Sequence, residues 1–223
     1  MKKISLIGIL AALLCVSMAS AATVDVIAVT NNSYQSNLGG LAGADQKCVD
    51  FATANGLNNP SGWKALIGES TRDNTQPGWV LQANTPYYML DGTTLIDTTN
   101  SNKCFTFDLD NIISTGDVVW TGLNDDCSSS GADCTSWTTN DPGDPEEESF
   151  EGTFGHANLI GPGALNGGSQ SCGQIELLYC VGTVDVQQQS GDAVPEAGNS
   201  QIIALIAIVA IAAIIGVVLF KKK

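Results

Sequence analysis

The amino-acid sequence predicts one α+β domain of mostly short strands, carried between two apolar ends. Three observations predict it. Strand-like and helix-like periodicities share the middle of the 223-residue chain, six of the seven cysteines lie in that middle, and uncharged apolar runs occupy both ends.

At the N-terminus Lys2 and Lys3 precede an apolar run from Ile4 to Met18 and the small residues Ala19-Ser20-Ala21. Residues 1–21 therefore read as an export signal cleaved after Ala21, and Cys15, preceded by Leu13-Leu14, falls in the discarded part. Residues 202–220 carry no charge, and at about 1.5 Å per residue they span about 28 Å, near the roughly 30 Å hydrocarbon core of a bilayer. This segment is expected to be a transmembrane helix. The basic tail 221–223 should stay cytoplasmic, which places residues 22–183 outside the cell as the domain and 184–201 as a flexible tether. The expected localisation is the cell surface, as a single-pass membrane protein. Val194-Pro195-Glu196, the apolar run and the lysines also resemble the tripartite tails that exosortase-like and archaeosortase-like enzymes cleave. Processing of that kind would exchange the helix for a covalent link.

The outer part, about 180 residues, suffices for one domain with a hydrophobic core. All 23 acidic residues lie in it against Lys47, Lys64, Arg72 and Lys103, so 4 minus 23 leaves −19. Such a surface repels phosphate and sulfate polymers, so nucleic acid and heparin-like polyanions are excluded as partners, while cations, neutral sugars and basic proteins are not. Cys48, Cys104, Cys127, Cys134, Cys172 and Cys180 form an even set in an oxidising compartment, and three disulfides are expected. Zinc ligation by thiolates is disfavoured, because no CxxC pair occurs and His156 is the only histidine.

Along the chain, Thr23–Val29 alternates as a half-buried strand does and ends in Thr30-Asn31-Asn32-Ser33, whose Asn31 is a candidate glycosylation site. Gly43–Asn55 places Ala44, Cys48, Phe51 and Ala52 on one helical stripe with Gly56 as its stop. Trp63–Leu66 reads as a strand, and Asp91-Gly92 between Pro86–Leu90 and Thr93–Ile96 signals a tight hairpin. Val118–Trp120 and Glu176–Val181 supply further strands. From Asp125 to Gln174 the composition favours long loops, pinned by Cys127, Cys134 and Cys172.

In order, Gly43-Ala44-Asp45-Gln46-Lys47-Cys48, Gly62-Trp63-Lys64-Ala65-Leu66, Val119-Trp120-Thr121-Gly122, Cys134-Thr135-Ser136-Trp137 and Ser171-Cys172 leading to Leu178-Tyr179-Cys180 resemble the endostatin domain of collagens XV and XVIII. They also resemble a related family of secreted prokaryotic domains of unknown function. The likeness runs from about Val24 to Gly182. It implies a C-type-lectin-like fold: two helices flanking twisted antiparallel sheets, with long disulfide-pinned loops. Carried over position by position, it implies that Cys48 joins Cys180 and Cys134 joins Cys172, which leaves Cys104 and Cys127 to pair as an addition of this chain. The endostatin family's histidine-rich zinc site and arginine-rich heparin surface have no counterpart here. The Glu-Pro-Asn or Gln-Pro-Asp triplet of calcium-dependent lectins is missing as well.

The stretch Asp141-Pro142-Gly143-Asp144-Pro145-Glu146-Glu147-Glu148 offers calcium as the one candidate cofactor, through Asp141, Asp144, Glu146 and Glu147. Its plainer reading is a solvated acidic loop, since the EF-hand spacing is absent. Trp63, Trp120 and Trp137 are expected in the core. Trp79, Tyr87 and Tyr88 are the aromatic candidates for stacking on a sugar or a protein partner. No catalytic set is complete: His156 reads as a loop residue, the cysteines should be oxidised, and there is no GxSxG elbow. The expected function is a non-enzymatic recognition or adhesion module for an extracellular glycan or protein. The alternatives are a surface-anchored hydrolase acting through carboxylates and a structural part of an envelope or surface layer.

Overall fold

A computed structural model describes residues 22–116, 118–143 and 150–186. The expected export signal, tether, apolar segment and basic tail lie outside the described residues. Among the described residues no helix is long and apolar enough to cross a membrane.

The fold is mixed and mostly sheet. Strand β1 spans Ala22–Val29, β2 Tyr34–Gln35, β3 Lys64–Ala65, β4 Pro86–Tyr88, β5 Leu95–Thr98, β6 Val118–Trp120, β7 Glu151–His156, β8 Gly168–Ser171 and β9 Ile175–Val186. Helix α1 spans Gly40–Ala54, and a one-turn helix α2 spans Cys134–Trp137. The strands follow the order β5-β4-β1-β9-β6-β7-β8, with β2 and β3 also paired to β9. β1 runs antiparallel to β9 from Ala22↔Val186 to Val29↔Tyr179, and β2 continues along the same edge at Tyr34↔Glu176. The opposite edge carries β6 in parallel and β3 in antiparallel register.

Both faces of the central strands are covered. Ile27, Tyr179 and Val181 point into one cluster with Leu66, Leu81, Tyr87 and Ile96. Their chain neighbours Val26, Ala28, Leu178 and Cys180 point into a second cluster with Trp63, Trp120, Trp137 and the buried face of α1. The expectation of a half-buried first strand is thus corrected: Val26, Ile27 and Ala28 are all buried, as a strand packed on two sides requires.

Other elements differ from the reading of the sequence in extent. The helix begins three residues before Gly43, at Gly40. The Asp91-Gly92 hairpin is present, but its turn is wider than two residues: Met89 N–H donates to the Thr94 carbonyl, and the Asp91 carboxylate accepts the Thr93 and Thr94 amides at 2.8 Å. Asp125–Gln174 is not all loop, since it contains β7 and β8. His156 ends β7 and meets the Phe154 ring edge-on at 5.3 Å, so it is a strand residue rather than a loop residue. Glycines hid β7. A Cβ at Gly152 would sit 2.8 Å from Cys134 Sγ and from the Trp120 ring, and one at Gly155 would sit 2.2 Å from the Ala164 carbonyl. This strand needs backbone close to its neighbours, which lowers its apparent strand propensity.

Three disulfides form: Cys48–Cys180, Cys104–Cys127 and Cys134–Cys172. These are the pairs that the family resemblance implies. The first staples α1 to the centre of β9. Beside it, buried Asp45 on α1 accepts both Arg72 guanidinium nitrogens at 2.7 and 2.8 Å, the Ala65 amide of β3 at 3.0 Å and Lys64 Nζ at 3.2 Å. Burial alone would push the Asp45 carboxyl up, but the bonds and charge of Arg72, with those of Ala65 and Lys64, hold it below its ordinary value. A carboxylate with a lowered folded value stabilises fully above the unfolded value, and that stability is lost as pH falls through the folded one. Replacing Asp45 with Asn should cost about 3 kcal/mol, because it leaves the Arg72 charge largely buried and unpaired. Denaturant midpoints should show that loss at neutral pH and a smaller difference between the two proteins below about pH 4, where Asp45 of the unfolded chain takes up its proton before the folded one does.

Candidate functional site

The loops after β5 and β6 are short of apolar residues, so their shape comes from side chains that bond to their own backbone. Asn100 Oδ1 accepts the Asn102 and Cys104 amides at 2.8 and 3.3 Å, curling residues 100–104. Asn124 donates through its amide to the Ser128 hydroxyl at 3.0 Å and the Ser129 carbonyl at 3.2 Å. Asp126 accepts the Ser128 amide at 3.0 Å and also its hydroxyl. The hydroxyl and amide of Ser128 hold the Asp126 carboxyl below its ordinary value, so it stays ionised. The Cys104–Cys127 disulfide then ties the two curls together.

Between them lies a groove of about 310 Å³, lined by Asn100, Asn102, Phe107, Asp125, Asp126 and Pro162 among others. Phe105 and Cys104 are buried beneath it, and half-buried Phe107 packs on the same core cluster. Asn74 braces the second curl: its amide nitrogen donates to the Asp126 carbonyl at 2.7 Å, and its backbone amide donates to the Cys127 carbonyl at 3.2 Å. Carboxylates and amides around an aromatic ring can receive and give hydrogen bonds to hydroxyl pairs while the ring covers an apolar face. The volume stands at the small end of ligand sites, which run from about 300 to 1,000 Å³.

A second braced region lies at α2, where Cys134, Thr135, Ser136 and Trp137 all have φ between 50° and 61°. Each such left-handed residue costs on the order of 1 kcal/mol, so four in a row persist only under clamps. The clamps are Cys134–Cys172, the bond from Trp137 Nε1 to the Gly68 carbonyl at 2.9 Å, the Gly39 amide on the Trp137 carbonyl at 3.2 Å, and Asp133 capping Ser136 at 2.9 Å.

The residues singled out by the sequence do not assemble into one site. Trp79 is 5% exposed and donates from its indole to the Lys103 carbonyl, and Tyr87 is 1% exposed with its hydroxyl accepting the Gln82 amide. Their ring faces are packed in the core and cannot stack on a ligand, which corrects that expectation. Tyr88 is half-buried on β4. Asn31 is exposed and open to modification. Asp141 is exposed and binds its own Gly143 amide at 2.9 Å, while Asp144, Glu146 and Glu147 lie outside the described residues. Among the described residues no three His, Cys, Asp or Glu side chains gather as a metal site. Trp63, Trp120 and Trp137 are buried in the core. The groove residues Asn102, Asp125 and Asp126 passed unnoticed in the sequence, where the signal was Asn- and Asp-rich turns beside Cys104 and Cys127.

Removing that pair as Cys104→Ser with Cys127→Ser should cost about 3 kcal/mol in the chain-entropy treatment of a loop of this length. Faster amide exchange at residues 100–107 and 124–129, with exchange across β1 and β9 unchanged, is the expected result.

Comparison with curated proteins finds no match. Residues 31–160, which is 130 of 223 and more than half of the chain, match a family described as proteins of unknown function, DUF1554. The match takes in α1, β3 to β7 and the whole of the groove except Pro162, and the chain belongs to that family.

Proposed function

We propose that this chain is a cell-surface recognition module that grips a neutral extracellular glycan in the groove between residues 100–107 and 125–126. The groove itself carries this reading: Asp125, Asp126, Asn102 and Phe107 line one hollow of about 310 Å³, large enough for one or two sugar units. The charge of the outer part supports a neutral ligand, since a sulfated or phosphorylated chain would be repelled. We further read the fold as C-type-lectin-like. In support, the two ends of the domain pair as β1 and β9, the long helix is stapled to the last strand, and the ligand groove is built on loops. Export through residues 1–21 and anchoring through 202–220 complete the proposal and place the domain within reach of its own membrane. Calcium enters it only as a variable to test.

The experiment is a glycan-array screen of the purified full chain at fixed ionic strength, with and without calcium. Binding to neutral glycans that falls at least tenfold in Asp126→Asn and in Asn102→Ala is the expected result. Binding that both variants retain in full would move the site elsewhere, and the absence of any glycan bound would end the reading. For the anchor, the full chain should fractionate with membranes, and mass spectrometry should recover a C-terminal peptide containing Lys221. A mature chain ending near Glu196 would instead show that the tail is removed.

A further inference from the structure

Asp25 sits near the start of β1, directly opposite Thr183 of β9 on one side and Tyr87 of β4 on the other. Residues paired across strands present their side chains to the same face. That face is the one on which Ile27 and Val181 enter the core, so Asp25 stands where the core reaches the end of the sheet. A cleft of about 150 Å³ opens there, lined by Asp25, Trp63, Val80, Gln82, Tyr87 and Thr183 among others.

Among the described residues no hydrogen bond or ion pair reaches the Asp25 carboxylate. The cations of the domain are committed elsewhere. Arg72 is paired with Asp45, Lys64 lines the cleft but has its Nζ 3.2 Å from the Asp45 carboxylate, and Lys47 lies over the Tyr34 ring at 4.7 Å. Lys103 belongs to the curl whose carbonyl receives Trp79, and it does not line the cleft. A half-buried carboxylate without a countercharge is costly to keep, and a pocket that holds one suits a cation. Burial pushes the Asp25 carboxyl up, and it pushes the Tyr87 hydroxyl up to about 12, with the Asp25 charge adding to the effect while the Gln82 amide opposes it.

We propose that the cleft between β1, β4 and β9 binds a small organic cation, an alkylammonium or guanidinium group, with Asp25 as its counter-ion and Val80, Gln82 and Thr183 lining it. A hollow of about 150 Å³ is of the size that holds benzene in an engineered protein cavity, which limits the occupant to a head group of about six heavy atoms. Gln82 and Asn59 also line the cleft. A lysine or arginine side chain of a partner and a free amine share this chemistry. This site is separate from the glycan groove and does not depend on it.

The test is an NMR titration of the full chain with n-butylammonium, with agmatine and with an acetylated, amidated lysine peptide, using n-pentanol as the uncharged control. Saturable shifts confined to residues around Asp25, Gln82, Tyr87 and Thr183, elicited by the cations and not by n-pentanol, are expected. At least tenfold tighter binding of the peptide than of the free amines identifies a protein partner, and the reverse order identifies a free amine. Asp25→Asn should abolish the shifts, and Thr183→Lys should do the same by placing a tethered ammonium beside Asp25. Asp126→Asn should leave them unchanged. Shifts that never saturate and scatter over the acidic surface would overturn the proposal, as would saturable binding retained by both Asp25→Asn and Thr183→Lys.

Discussion

The twelve-residue strand β9 is paired on both edges, to β1 and β2 along one side and to β6 and β3 along the other. Neither partnership can be lost alone, because the same strand also fills both core clusters by alternation: Leu178 and Cys180 on one face, Tyr179 and Val181 on the other. The Cys48–Cys180 staple then fixes the long helix at the strand's midpoint. A strand from the end of the domain therefore organises elements drawn from its whole length. Folding must wait for contacts of high sequence separation, which is slow in a chain with few local contacts to guide it. A covalent tie between residues 132 apart shortens that wait once formed.

With the sheet so constrained, the loops are free to be polar. Residues 100–107 anchor Cys104 and Phe105 in the core, while their polar remainder and residues 124–130 are shaped by Asn and Asp side chains that bond to backbone amides and by the Cys104–Cys127 tie. The left-handed turn at Cys134–Trp137 is the extreme case. Four residues in an unfavourable conformation are held by a disulfide behind and a buried indole below, so the cost is borne by packing that the sheet already supplies. Recognition surfaces profit from this division of labour, because a loop ordered in advance loses less freedom when it meets a ligand.

Periodicity made β1, α1, β6 and β9 legible, since a buried strand or an amphipathic helix writes its pattern in apolar residues. It failed where geometry replaced hydrophobicity. β7 was invisible because Gly152 and Gly155 serve close backbone approach, and the buried state of Trp79 and Tyr87 could not be told from exposure, because an indole or phenol with one bonded polar atom suits either place. The groove was hidden for a related reason. Asn100, Asn102, Asp125 and Asp126 have the composition of any solvated turn, and only the Cys104–Cys127 tie, which brings residues 23 apart in sequence together, makes them neighbours.

Three aspartates show how position settles the role of one residue type in this acidic protein. Asp45 is buried and receives a forked guanidinium, an amide and an ammonium, so its charge is spent on holding α1 to β3. Asp126 is exposed and satisfied by its own loop, so its charge shapes a turn while part of the carboxylate still faces the groove. Asp25 has neither arrangement. It is drawn half out of water by the sheet, close to a phenol whose proton it makes harder to remove, and the domain supplies it with no cation. A lone carboxylate at the end of a core strand would be replaced at no structural loss by Thr or Val, which suit the strand better. The proposed cation would supply the countercharge that the domain does not.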